Sequence, residues 1–321
     1  MDGTSGIDTG VMVCGHGSRD SNAIREFQAM ARALGGRLPQ YALESGFLEF
    51  ARPVIRDGLE ALKARGVKRI LAVPGMLFAA GHVKNDVPSE INEFVRANPG
   101  IDLRFGRDLA IDPRMLSAAR ARIEEALART DNAVARKDTL LLVVGRGTND
   151  PDANSNVSKV ARMLWEGMGF GWAETAYSGV TSPLVDAALS RSVRLGFRRI
   201  VVFPYFLFTG VLVKRIYEWT DLAQRANPDI EFVKADYLND HPLVLDTFVD
   251  RVNEILAGTG NMNCQMCKYR EQVIGFERDK GAPQAGHHHH VRGIGTDADH
   301  GHNHGHHDHD HSHGHTHGRK K

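Results

Sequence analysis

Three side chains in the first half of this 321-residue chain are of types that can hold a divalent cation together: His16, Glu49 and His82. Imidazole nitrogens and a carboxylate oxygen suit zinc, cobalt, nickel and related ions, and imidazole also exchanges protons near neutral pH. Each residue follows the break of an apolar run. Val11-Met12-Val13-Cys14 stops at Gly15-His16-Gly17-Ser18-Arg19-Asp20, and Gly46-Phe47-Leu48 runs into Glu49. Residues 69–73 stop at Pro74-Gly75, ahead of Met76-Leu77-Phe78-Ala79-Ala80-Gly81-His82. Such breaks read as strands ending in turns, at the sheet edge where open α/β folds bind ligands. The glycines around His16 let a ligand approach the backbone closely. If the first strand is central, flanked by the second and third, strand spacing of about 4.8 Å makes the three groups neighbours. One ion, with metal–nitrogen bonds of about 2.0–2.1 Å as for zinc, could then be shared.

The elements that must position these groups occur twice. Val13-Cys14-Gly15-His16-Gly17-Ser18-Arg19-Asp20 aligns with Val143-Val144-Gly145-Arg146-Gly147-Thr148-Asn149-Asp150, an offset of 130. The same offset carries Pro53, Pro74, Phe78 and Lys84 onto Pro183, Pro204, Phe208 and Lys214. After a slip of one residue, Asn98-Pro99 matches Asn227-Pro228 and Pro113 matches Pro242. The period is too long for a solenoid and marks a duplicated domain. All three candidate ligands are lost in the copy, where Arg146, Gly179 and Leu212 replace His16, Glu49 and His82. One working site in the first half is expected, with the second half as its cover and Arg146 facing an anionic group.

Short apolar runs predict strands at 11–14, 43–48, 69–73 and 101–105, and again near 140–144, 174–177, 200–203 and 230–233. Helical spacing separates them, as in Ile24, Phe27, Ala31 and Leu34 after a Ser21/Asn22 cap, and near 156–166, 184–195, 211–226 and 242–256. Alternating strands and helices predict an α/β fold of two duplicated halves, each a parallel sheet flanked by helices. The expected domains are residues 1–130, with the active site, and 138–258, with the degenerate copy; the polar stretch 128–137 links them. Residues 259–280 carry Met262-Asn263-Cys264-Gln265-Met266-Cys267. Residues 281–321 hold fourteen of the seventeen histidines among Gly and Asp, with almost no large apolar residue, and are expected to be a disordered metal-binding tail.

Several function classes are set aside. The formal charge of +1, without a basic stripe, argues against nucleic acid. No 18-residue apolar run and no signal-like N-terminus point to a cytoplasmic protein without a membrane partner. There is no G-x-x-x-x-G-K-[ST], and Gly15-His16-Gly17 does not extend to G-x-G-x-x-G, so no nucleotide is expected. Ser18 lacks a G-x-S-x-G elbow, which leaves a hydrolase little support. Cys264-x-x-Cys267 alone fits half a zinc site, a redox pair or two ligands of an iron–sulfur cluster.

Taken together, the Gly15-His16-Gly17-Ser18-Arg19 turn, Phe47-Leu48-Glu49, the Pro74…Phe78…Gly81-His82 loop, the M-x-C-x-x-C motif and the histidine-rich end resemble the CbiX-type sirohydrochlorin cobaltochelatases in their long form. These are class II tetrapyrrole metal chelatases. The resemblance implies insertion of Co(II), as substrate metal, into sirohydrochlorin during cobalamin biosynthesis, without ATP. It implies that His16 and His82 carry the metal and that Cys264 and Cys267 belong to an iron–sulfur site. For such a reaction Glu49 or a histidine takes protons from the ring, and Arg19, Lys84 and Arg146 are candidates for its carboxylates. A nickel or iron chelatase on the same ring stays open, as does a metal-storage or metallochaperone protein. Duplication within one chain suggests a monomer, with a homodimer as the other possibility.

Overall fold

The computed structural model describes residues 8–131 and 133–260. In the first half, β1 (Thr9–Gly15), β2 (Ala42–Phe47), β3 (Arg69–Pro74) and β4 (Asp102–Phe105) alternate with α1 (Ser21–Arg37), α2 (Ile55–Ala64), α3 (Val87–Ala97) and α4 (Pro113–Leu127). The second half repeats this with β5 (Thr139–Gly145), β6 (Trp172–Tyr177), β7 (Arg199–Pro204) and β8 (Glu231–Lys234). Its helices are α5 (Pro151–Met168), α6 (Val185–Val193), α7 (Val211–Ala226) and α8 (Pro242–Leu256). Both sheets are wholly parallel, in the orders β2-β1-β3-β4 and β6-β5-β7-β8. The duplicated α/β architecture is therefore as the sequence implies, and β1 is central between β2 and β3.

The central strands bury both faces, which is why their runs are continuously apolar rather than alternating. Along β1, Met12 and Cys14 join a core beneath α2 and α3, while Val11 and Val13 join a second core on the other face. That second core is common to both halves, because Leu141, Val143, Val201 and Phe203 of the second sheet belong to the same cluster as Val11 and Val13. Four helices fill the space between the sheets, and two of them are exchanged. α8 packs on β3 and α1 of the first half, whereas α4 packs on α5 and β8 of the second. The spatial halves thus differ from the sequence halves, since each closing helix crosses to the other sheet.

The reciprocal contacts extend to charged groups. Lys84 Nζ lies 2.8 Å from Asp150 Oδ2 and 3.0 Å from Asp152 Oδ2, and Lys214 pairs with Asp20. Residue i of one half meeting residue j of the other, and the reverse, is the signature of a two-fold arrangement. Asp20 and Asp150 also cap α1 and α5, accepting the backbone N–H groups of Asn22 at 2.9 Å and Asp152 at 3.0 Å. The cap of α1 is therefore Asp20, one position before the expected Ser21/Asn22, because its carboxylate reaches the N2 amide while Ser21 and Asn22 lie inside the first turn.

One glycine in each half decides whether the strand ends can meet. Gly17 has φ of +98°, and a Cβ there would lie 1.7 Å from the Glu49 carbonyl oxygen. Gly147 has φ of +82°, and its Cβ would lie 1.9 Å from the Gly179 carbonyl oxygen. Gly17→Ala and Gly147→Ala should each lose about 3 kcal/mol or more in urea unfolding, from the clash and the left-handed backbone together. Only Gly17→Ala should also displace the backbone of a candidate ligand, which divalent-metal titration of the two variants would separate.

Candidate metal centre

The parallel ladder continues past the ends of the strands. Leu48 N–H donates to Gly15 O at 2.8 Å and Glu49 N–H to His16 O at 3.0 Å, while Gly75 N–H donates to Cys14 O at 2.8 Å. His16 and Glu49 are consequently backbone neighbours, fixed by the same hydrogen bonds that build the sheet. His16 Nδ1 lies 3.0 Å from Gly17 O. A carbonyl only accepts, so Nδ1 carries the proton and Nε2 keeps a bare lone pair. That Nε2 is buried without a hydrogen-bond partner and stands 3.3 Å from Glu49 Oε1.

His82 opens a single π-helical turn, residues His82–Asp86, that leads into α3; Val87 N–H donates to His82 O. Such widened turns are frequent at functional sites. The turn sets Nδ1 of His82 2.7 Å from Asp86 Oδ2, and Asp86 Oδ1 accepts Asn85 Nδ2–H at 2.9 Å. Asp86 is a buried carboxylate, so it draws the Nδ1 proton and leaves Nε2 of His82 free for a ligand. The His16 and His82 rings stand edge to face, with centroids 4.6 Å apart. Ligand atoms of His16, Glu49 and His82 all lie within 4.8 Å of one another, the one cluster of this kind among the described residues. Two imidazoles and one carboxylate supply three ligand atoms, which leaves coordination positions open on any shared ion.

Burial sets the charge states. It lowers the His16 pKa to about 4, with further depression from His82 and Arg146, so the imidazole stays neutral and ready to bind metal. Burial also raises the Glu49 carboxyl above its ordinary value, against the opposing pull of His82 and Arg146. Arg146, at the position equivalent to His16, faces the group from the second half. Its side chain opens to the cleft but is hemmed in by protein on most sides, and this desolvation lowers its pKa. No carboxylate among the described residues forms a salt bridge with it.

The centre opens into a cleft of about 400 Å³ between the halves. Its walls are aromatic and aliphatic, with Phe78 stacked on Tyr205 at 5.7 Å and Phe27 edge-on to Phe208 at 5.7 Å, each pair spanning the two halves. Leu212 occupies the place equivalent to His82 on the opposite wall. Arg19 is exposed at the rim, its guanidinium 4.9 Å above the Phe50 ring. Lys84, expected to meet a carboxylate of the ligand, instead meets two carboxylates of the protein and joins the halves. Its repetition as Lys214 was the sign of this scaffold role. Asp86 went unnoticed in the sequence, although its i+4 spacing from His82 carries the signal. Cys14 is enclosed in β1, where burial pushes its thiol up, so it supplies no third cysteine ligand. Cys264, Cys267 and the histidine-rich tail lie outside the described residues. No helix among the described residues is long and apolar enough to cross a membrane.

The family model CbiX matches residues 10–126 and 140–255, both halves in turn. The chain belongs to the CbiX family. A relative from Priestia megaterium, named sirohydrochlorin cobaltochelatase, is 36% identical over 266 residues, covering 82% of this chain and 85% of its own. A second protein from Priestia megaterium, named sirohydrochlorin ferrochelatase, is 31% identical over 255 residues, 79% of this chain and 93% of its own. The solved structure described as SirB from Bacillus subtilis with Fe3+ superimposes with a TM-score of 0.69 at 26% identity, covering 79% of this chain and 99% of that one.

The His16 environment has a consequence for stability. In the unfolded chain its imidazole titrates near 6.5, and in the folded chain near 4. The unfolded state therefore binds more protons between these values, and stability present above pH 6.5 is lost as pH falls towards 4. Wild type should lose about 3 kcal/mol or less relative to His16→Asn over that window, read as the difference between the two urea-unfolding curves at each pH.

Proposed function

We propose that the protein is a sirohydrochlorin chelatase that inserts a divalent metal, Co(II) foremost, into the ring without nucleotide hydrolysis. The observation that carries this reading is a pair of imidazoles with bare Nε2 atoms beside a carboxylate, at the mouth of an apolar cleft shaped by both halves. His16, His82 and Glu49 would hold the partly desolvated ion as substrate, and the aromatic walls would receive the flat ring. Insertion exchanges two pyrrole N–H protons for one M²⁺. Glu49, its carboxyl raised towards neutrality by burial, accepts one of these protons more readily than an ordinary glutamate, and a histidine Nε2 vacated by the departing ion accepts the other. Arg146, exposed to the cleft, would pair with a ring carboxylate, with Arg19 as a second cation at the rim. Both walls come from one chain, which supports a working monomer.

The metal is the finer question. The 36% identical relative named as a cobaltochelatase favours cobalt, and the 31% identical ferrochelatase supports iron as the second reading. The donor set of two nitrogens and one oxygen accommodates either ion. A storage role is separated from catalysis by removing the tail.

Absorbance-monitored metalation of sirohydrochlorin, with Co(II) and Fe(II) in parallel, tests the proposal. Wild type and a chain ending at Gly281 should both exceed the spontaneous rate, with His16→Ala and His82→Ala lowering kcat/KM by about 100-fold or more. Arg146→Ala should raise the KM for the ring about tenfold and largely spare kcat. Turnover no faster than the spontaneous reaction, with metal uptake that vanishes on loss of the tail, would establish storage instead.

A further inference from the structure

The loop that delivers His82 is held from below by a residue with no part in the cleft. Asp108, a residue only 9% exposed, follows β4, and its carboxylate accepts the backbone N–H of Ala79 at 2.7 Å. Two backbone bonds run alongside, from Leu109 N–H to Met76 O at 3.2 Å and from Ala110 N–H to Leu77 O at 2.8 Å. Residues 76–79 are thereby zipped to residues 108–110, three residues before His82. The anchoring segment is itself clamped by Arg251 of the exchanged helix α8. Arg251, 1% exposed, donates to Asp108 O at 2.9 Å and Leu109 O at 2.5 Å.

Comparison of the two halves separates scaffold from site. Arg122 on α4 donates to Leu238 O at 3.2 Å, the counterpart of Arg251 on Leu109, and Leu238 N–H donates to Phe206 O at 2.9 Å, the counterpart of Leu109 on Met76. The arginine clamp and the first bond of the backbone zipper therefore belong to both halves. The carboxylate does not. Tyr237 stands where Asp108 would be, and the N–H of Thr209, equivalent to Ala79, is accepted at 2.8 Å by Glu26 of α1, across the cleft. In the half with a histidine the loop is tied to its own sheet; in the half with Leu212 it is tied to the other half.

We infer that Asp108 is a positioning residue for His82, holding the Ala79 amide so that the imidazole is delivered at a fixed distance from His16 and Glu49. The inference rests on the metal-centre reading above. A loop free to shift by an ångström loses the shared ligand geometry, although nothing in the cleft itself has changed.

The test is the KM for Co(II) and kcat of the full chain in the metalation assay, with thermal unfolding of each variant. Asp108→Ala should raise the metal KM about tenfold, the low end of what support of a metal ligand is worth, and leave the KM for sirohydrochlorin near wild type. Asp108→Asn keeps an acceptor oxygen and should restore the metal KM. Glu26→Ala, which frees the equivalent loop in the half without ligands, should leave the metal KM unchanged even where it lowers Tm. Should Asp108→Ala not fold, Asp108→Leu takes its place, with the same branching and heavy-atom count and no acceptor. A wild-type metal KM in Asp108→Ala or Asp108→Leu, beside an impaired His82→Ala, overturns this inference alone. An Asp108→Asn as impaired as Asp108→Ala overturns it too, as does a Glu26→Ala with the same rise in metal KM. A wild-type metal KM in His82→Ala overturns the metal-centre reading and this inference with it.

Discussion

Every distance at the centre depends on β1 having a parallel partner on each side. Hydrogen bonds to β2 and β3 use both edges of the strand, and they continue beyond it through Leu48, Glu49 and Gly75. The carboxyl end of β1 therefore cannot move without breaking the sheet. Gly17 completes the constraint, since only a residue without Cβ lets the Glu49 carbonyl lie beneath the turn. The outcome is an imidazole and a carboxylate brought together by backbone geometry rather than by attraction between them.

Desolvation then determines what those groups can do. An exposed histidine would be partly protonated at neutral pH and would repel a cation. Burial holds His16 neutral, with its proton on Nδ1 facing Gly17 and its lone pair on Nε2. At His82 the Asp86 carboxylate takes the place of the Gly17 carbonyl as the partner of Nδ1. A neighbouring cation, Arg146, reinforces the neutral state of His16 while remaining exposed to the cleft. The same shielding lifts the Glu49 carboxyl above its ordinary value.

Much of this was legible in the sequence, because strands, turns and glycines leave local marks. The offset of 130 disclosed the duplication, and the broken apolar runs placed His16, Glu49 and His82 at one sheet edge. Their being neighbours was conditional on β1 lying between β2 and β3, which the structure shows. What escaped the sequence was whatever depends on chain crossing. Nothing local in Arg122 or Arg251 shows that α4 and α8 exchange sheets, because an amphipathic helix carries no record of which sheet it covers. Lys84 illustrates the same limit: a lysine near a binding loop suggests an anionic ligand until the fold puts Asp150 and Asp152 beside it. Asp108 is still less visible, since its partner is a backbone amide rather than a side chain.

The measurement that bears most directly on the central claim is an anomalous difference map from a crystal of the full chain soaked in Co(II). The account predicts a peak in the first half bonded to Nε2 of His16, Nε2 of His82 and a Glu49 carboxylate oxygen, with open positions towards the cleft. Cobalt found elsewhere, with these three side chains unliganded and their spacing unchanged, would contradict it.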